Sequence, residues 1–409
     1  MSILKFRSAF VCLGLICAAL VSAAEVEEIP KLKASNILPP DLLRSDVHTV
    51  SENVEMNRFM CKYNVQTPFG VYKVTSTEML KIRIHEFQVL KNATNINGTK
   101  EFFASMQKSV VQVPVAVVDT VFHPISSVQK IGAGVQSKFN AAGRFFNFGR
   151  KKSQYEDSLL KEAALGTDKR AVAVHLGVDV YSTNPKVQDL LNYIARAQAA
   201  GELPAQLGGM AAPMGVGIAL TMMDLRRDVN KDLALKSPGE LHAMNNKILK
   251  GLGISDVIRE AFLGNRFYSP RHKTVIVANL EAMKNVEGLE HFLLTTLHDQ
   301  SEEEALFAER QSDMLLYYHK KTEKLGQIGD VGGRLPAAMA KNGDLVVAVP
   351  MDYVYVDEGA LETTKTLMQN RDELKAKRII LMLTGSASER AKETAQASGI
   401  TIQEKFFGN

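Results

Sequence analysis

The sequence predicts an α+β protein with a predominantly helical body, an N-terminal β-hairpin and a small C-terminal α/β domain. Three observations carry that expectation. Capped helical signals dominate from about residue 101 to 328, period-2 alternation with a Pro- and Gly-containing turn marks 58–76, and short apolar runs alternate with polar helical stretches after 331. Hydrophobic residues at 45% and charged residues at 23% are ordinary globular values, so a chain of 409 residues has material for two cores.

The first 24 residues read as a secretory signal peptide. Lys5 and Arg7 precede an apolar run, Ala9 to Val21, and Ser22, Ala23 and Ala24 supply small residues for cleavage after Ala23 or Ala24. That run is short for the ~20 residues a membrane span needs. The expected location is therefore exported, periplasmic or secreted. Losing Lys5 and Arg7 would lower the net charge from +4 to +2, too little to argue for a nucleic-acid partner. Cys12 and Cys17 would leave with the signal, so the remaining Cys61 has no disulfide partner. Residues 25–50, with Pro30, Pro39 and Pro40, read as a linker or extended arm.

A hairpin is expected from Arg58–Val65, a Thr67-Pro68-Phe69-Gly70 turn and Val71–Ser76. Phe59, Cys61, Tyr63 and Val65 alternate with mostly polar neighbours, which places Cys61 on an apolar strand face as an inert thiol. Met79–Leu90 reads as a helix, with Thr75 and Glu78 as its capping box. Helix starts follow at Asn184-Pro185, at Ser237-Pro238-Gly239-Glu240 and at Ser301-Glu302-Glu303-Glu304, the last being helix-start chemistry more than a cation site. The mainly helical body is expected to run over 51–330.

Beyond it, 331–409 reads as the α/β domain. Asn342-Gly343 between two apolar runs suits a type I′ hairpin turn. A polar helix over Glu358–Lys377, a strand at Arg378–Leu383, a helix over Ser386–Ser398 and a strand at Ile400–Lys405 predict a parallel pair with a crossover.

Leu176-Gly177-Val178-Asp179-Val180-Tyr181-Ser182-Thr183-Asn184-Pro185 and Gly251-Leu252-Gly253-Ile254-Ser255 resemble sequence in uncharacterised exported bacterial proteins. The resemblance implies an envelope setting and brings no activity with it.

The most distinctive surface candidate is Thr120–Tyr155, which holds no acidic residue where average composition would supply about four. Lys130, Lys138, Arg144, Arg150, Lys151 and Lys152 provide its cations, and Phe145, Phe146 and Phe148 cluster beside the last triplet. Apolar residues recur at three- and four-residue steps from Val128 to Phe146, as in an interfacial helix that meets anionic lipid. Leu203–Met223 carries no charge, yet its glycines and Pro213 favour a buried helix or loop over a membrane span. Gly385 and Ser386 precede a helix start and form a weak anion-binding candidate, since Ser386 and Glu389 already make a capping box. His291 and His298 match no zinc or di-iron spacing, and Asp344, Asp352 and Asp357 lack a nuclease partner.

No catalytic residue, metal or cofactor follows from these spacings. The expected function is a non-enzymatic envelope protein that binds anionic membrane peripherally or meets an envelope protein partner. A hydrolase with its site at the domain junction and a structural or protein-interaction component of the envelope are the alternatives.

Overall fold

The computed structural model describes residues 26–96, 99–100, 102–104, 159–203, 229–332 and 335–407. The expected signal peptide, the basic aromatic segment 126–152 and nearly all of Leu203–Met223 lie outside the described residues. The chain is a mixed α and β protein with several sheets.

The first layer contains β1 (Leu32–Lys33), α1 (Ala34–Ile37), α2 (Pro40–Leu43), β2 (Thr49–Val50), β3 (Asn53–Asn57), β4 (Met60–Thr67), β5 (Gly70–Thr75) and α3 (Thr77–Ala93). Residues 26–50 are therefore no linker. Ala34, Leu38, Leu42 and Val47 are buried in the first core, because the prolines shape short turns between apolar anchors; Pro40 opens α2 at its first turn. β4 pairs with β5 from Lys62↔Thr75 to Thr67↔Gly70, and β3 and β2 follow one another along its other edge. Alternation sends Cys61, Tyr63 and Val65 into the core. Burial raises the Cys61 thiol well above its ordinary pKa, which keeps it protonated and unreactive. The cap of α3 is Ser76, one residue later than expected: its Oγ accepts from the Met79 amide at 3.1 Å. Glu78 is thereby released for a longer-range task.

Helices α4 (Leu159–Leu176), α5 (Pro185–Ala199), α6 (Pro238–Gly251), α7 (Asp256–Gly264), α8 (Pro270–Ala282), α9 (Leu289–Thr296) and α10 (Glu302–Lys321) follow. Their starts use local chemistry the sequence announces. Asn184 caps α5, Ser237 and Glu240 form the box on α6, and Ser301 accepts from the Glu304 amide on α10. Every residue of α10 from Ala305 to Leu316 is buried. A helix enclosed on all sides must bury its polar residues too, and Glu309-Arg310-Gln311-Ser312-Asp313 falls within that stretch.

The second sheet has the order β12-β10-β8-β7-β6, built from β6 (Leu325–Val331), β7 (Leu335–Ala340), β8 (Leu345–Val349), β10 (Ile379–Leu383) and β12 (Ile400–Gln403). The β6/β7 and β7/β8 pairs are antiparallel, while β8/β10 and β10/β12 are parallel. Gly343 takes φ 93° in the turn before β8, a conformation that needs no Cβ. Helices α11 (Glu358–Glu373) and α12 (Glu389–Ala397) make the crossovers. All five residues of β8 are buried because both faces are covered: Val346 and Ala348 meet α10 and its neighbours, and Leu345, Val347 and Val349 meet the α11–α12 side.

The expected boundary at 330/331 falls inside β6. One core runs from Leu249 and Phe262 through Met314 to Val346 and Met382, so the helices and the sheet are packed as one body. A cut near Gly326–Gly333 would have to break β6, which is hydrogen-bonded along β7.

Candidate functional site

A buried ionic network joins α3, the 179–184 junction, α8 and α10. On α3, Arg83 donates to both Glu86 oxygens at 3.1 and 2.9 Å and to Thr183 Oγ1 at 2.6 Å. Asn184 Nδ2 reaches the same glutamate at 3.0 Å, and Ser182 Oγ donates to it at 2.5 Å. Glu302, at the start of α10, accepts from Thr183 at 2.6 Å and faces Arg83 at 3.7 Å. Burial pushes the Glu302 carboxyl up to about 6 against the pull of Arg83. Burial would lower the Arg83 pKa, but Glu86 and Glu302 overcome it and hold the guanidinium charged.

The second half centres on Arg310, which donates to Glu78 at 2.9 Å and to Asp313 at 2.8 Å. Asn279 of α8 adds bonds to Ser312 and Asp313 at 2.8 and 2.9 Å. His272 lies 3.9 Å from Glu309, and burial lowers its pKa to about 4, so the imidazole is neutral near pH 7. Arg83, Glu86 and Arg310 make their hydrogen bonds within this network. Their chemistry is that of a fastener: breaking one partner would strand a buried charge.

Asp352 is a third such fastener. Its carboxylate accepts from the Cys61 amide at 2.8 Å and the Thr77 amide at 2.9 Å, tying β4 and the start of α3 to the loop after β8. Burial raises its pKa to about 6, despite those two amide bonds.

An apolar cleft of about 70 Å³ lies between α11, α12 and the second sheet. Val349, Leu381, Ile400 and Ile402 form its sheet side; Ala360, Thr364 and Leu367 come from α11, and Ala391, Thr394 and Ala395 from α12. Phe59 and Tyr355 close it with an edge-on ring contact, centroids 5.4 Å apart. Small side chains on both helices create the space, and α11 fully buries Leu367 alone. No Asp, Glu, Lys, Arg or His lines the cleft, so it suits an uncharged aliphatic group. Its volume is roughly half that of a ~150 Å³ apolar cavity able to hold benzene.

The N-terminal arm reaches the same region. Glu27 donates its amide to the Val356 carbonyl at 2.7 Å, and its carboxylate accepts from the Val356 amide at 2.6 Å and from Ser388 Oγ at 2.7 Å. Val356 also lines the cleft.

The expected anion site at Gly385 and Ser386 is corrected. The Gly385 amide donates to the Met351 carbonyl at 2.8 Å and the Ser386 amide to the Asp352 carbonyl at 3.1 Å, so neither amide points at a ligand. Ser386–Ala387 is a short strand, β11, paired in parallel with β9 (Tyr353–Val354), and the helix cap is Ser388. A Cβ on Gly385 would lie 1.9 Å from the Asp352 carbonyl oxygen, so this glycine serves backbone contact. Lys130, Lys138, Arg144, Phe145, Phe146, Phe148, Arg150, Lys151 and Lys152 all lie outside the described residues. His291 pairs with Asp330 at 3.2 Å, Asp344 takes Arg378 in two bonds of 3.0 Å, and Asp357 caps α11. Among the described residues, no three His, Cys, Asp or Glu side chains are grouped to hold a metal, and no helix is long and apolar enough to cross a membrane.

The sequence reading missed both the network and the cleft. Signals for each were present: five consecutive polar residues inside α10 with apolar residues on either side, and small residues at helical steps on Ala360/Thr363/Thr364 and Ala391/Thr394/Ala395. No protein-family profile, curated protein or solved structure matches the chain.

Proposed function

We propose that this chain is an exported envelope protein, without catalytic activity, that binds anionic membrane peripherally through residues 126–152. The observation that carries the reading is the acid-free stretch Thr120–Tyr155, where six cations accompany an apolar stripe and three clustered phenylalanines. Each Lys or Arg near an anionic surface contributes ~1 kcal/mol before screening, and inserted phenylalanines add a part that salt does not weaken. The signal-peptide pattern of residues 1–24 supports placement beside a membrane. Among the described residues, the carboxylates that burial pushes up, the feature a hydrolase would use, are Asp179, Glu302 and Asp352, and each accepts from a protein donor: the Tyr181 amide, Thr183 Oγ1, and the Cys61 and Thr77 amides.

The test is co-sedimentation of the full chain with anionic and neutral vesicles at low and high salt. Binding to anionic vesicles only is the expected result, with a shallower salt dependence after Arg150→Gln, Lys151→Gln and Lys152→Gln. Phe145→Ser, Phe146→Ser and Phe148→Ser should lower the binding that survives high salt. Indifference of the wild-type chain to anionic vesicles at low salt overturns the proposal.

A further inference from the structure

We propose that one end of the second sheet is a docking face for an anionic phospholipid bilayer, with Leu374 entering the lipid among exposed lysines. The choice of a membrane as partner rests on the envelope reading above; the face itself rests on the fold. Three turns meet where β6, β8 and β10 begin and β7 ends. The Lys341 amide donates to the Lys324 carbonyl at 2.8 Å, the Lys377 amide to the Gly343 carbonyl at 2.8 Å and the Leu345 amide to the Arg378 carbonyl at 2.9 Å. Segments 319–324, 341–344 and 374–378 therefore form one surface. His319 ties the end of α10 to it, its Nδ1 accepting from the Leu325 amide at 3.1 Å. Burial first, then the charges of Lys324, Lys320 and Lys341, hold this imidazole below its ordinary pKa, as expected where cations crowd together.

The surface brings together Lys320, Lys321, Lys324, Lys341, Lys375 and Lys377, all of them exposed. Among the described residues none of the six is ion-paired. The neighbouring carboxylates are fewer and mostly engaged. Asp344 takes two bonds of 3.0 Å from Arg378, Asp372 accepts from Arg371 Nε at 2.9 Å, and Glu323 accepts from the Lys324 amide at 2.8 Å, which leaves Glu373. At the far ends of the same strands the sign reverses: α11 begins with Asp357 and Glu358, and α12 with Glu389. Charge separated in this way turns the basic end toward an anionic surface. Leu374 is 48% exposed and directly precedes Lys375. A soluble polyanion offers an exposed leucine no partner. A bilayer does, because the leucine leaves water while the lysine stems reach back to the headgroups.

The sequence contains no tryptophan, so Leu374→Trp in the full chain places a single reporter on this face. With vesicles of phosphatidylglycerol and phosphatidylcholine at low salt its emission should shift to the blue, as a ring at the headgroup level does. Phosphatidylcholine alone, or polyglutamate, should leave it unshifted. Adding Lys320→Gln, Lys321→Gln, Lys324→Gln, Lys375→Gln and Lys377→Gln should raise the lipid concentration needed for the shift about tenfold or more. Unchanged circular dichroism and melting temperature show that the variant folds. An unshifted reporter overturns the proposal; where the chain still co-sediments with the vesicles, the 126–152 reading stands. A shift that survives Arg150→Gln, Lys151→Gln and Lys152→Gln undiminished, with sedimentation equally unaffected, supports this face and counts against that reading. A shift on polyglutamate equal to that on vesicles, or one indifferent to the five lysine replacements, overturns the proposal.

Discussion

Replacing Asp352 with asparagine should change stability in a way that reverses with pH. In the folded chain burial raises this carboxyl from 3.8 to about 6. Between those values the native state holds a proton that the unfolded state has released, so stability falls as pH rises through the window. About two pH units at 1.36 kcal/mol each gives a loss of about 3 kcal/mol by neutral pH. Asparagine does not titrate and abolishes this loss. It retains one acceptor, however, and turns an NH2 group toward the Cys61 or Thr77 amide, at a cost of about 1–3 kcal/mol. Asp352→Asn should therefore be about 1–3 kcal/mol less stable than wild type near pH 4, and equal to it or up to about 2 kcal/mol more stable near pH 7.5. His272, buried and neutral with a pKa of about 4, destabilises the fold as pH falls below 6.5, but it is common to both proteins and cancels in the difference. Urea unfolding followed by circular dichroism at several pH values measures the difference directly. A constant gap from pH 4 to 7.5 would refute the raised Asp352 pKa, and a gap that widens toward neutral pH would reverse its sign.

Two further perturbations test the fasteners. Arg83→Met leaves Glu86 buried without its cation and should cost about 3–5 kcal/mol, read as a fall in the urea midpoint; a change below about 1 kcal/mol would mean water or another group compensates these carboxylates. Glu27→Ala removes the acceptor of the Val356 amide and Ser388, a loss of about 1–3 kcal/mol, and should expose residues 26–31 to limited proteolysis. Unchanged cleavage kinetics there would show that β1 alone holds the arm.

Much of the local structure was legible because its causes lie within four residues. Asn184, Ser237 and Ser301 cap helices by bonding amides two or three positions on. The hairpin turn falls at Asn342-Gly343 as expected, but only Gly343 takes a positive φ and the loop spans 341–344, so it is not the expected type I′ turn. Ser386 shows where such reasoning slips. It satisfies the same pattern as Ser388, and its capture by the strand pair β9–β11 is decided by Asp352, more than thirty residues earlier. The arm at 25–50 was misread for a related reason: its apolar residues have no period, so their burial depends on the sheet and α3 arriving beside them.

The sequence by itself determined the mixed class of the chain, the inward face of β4 with Cys61 on it, most helix starts and the parallel β10–β12 crossover. Each is a consequence of hydrophobic period, capping or turn chemistry, which acts over one or two turns of chain. Tertiary structure alone decided that Arg310 meets Glu78, that Asp352 grips the Cys61 and Thr77 amides, and that small residues on α11 and α12 leave a cleft above the sheet. Those outcomes join residues tens to hundreds of positions apart. A buried charge or an unfilled space depends on what the neighbouring elements bring, and no local pattern in one segment encodes its neighbour's position.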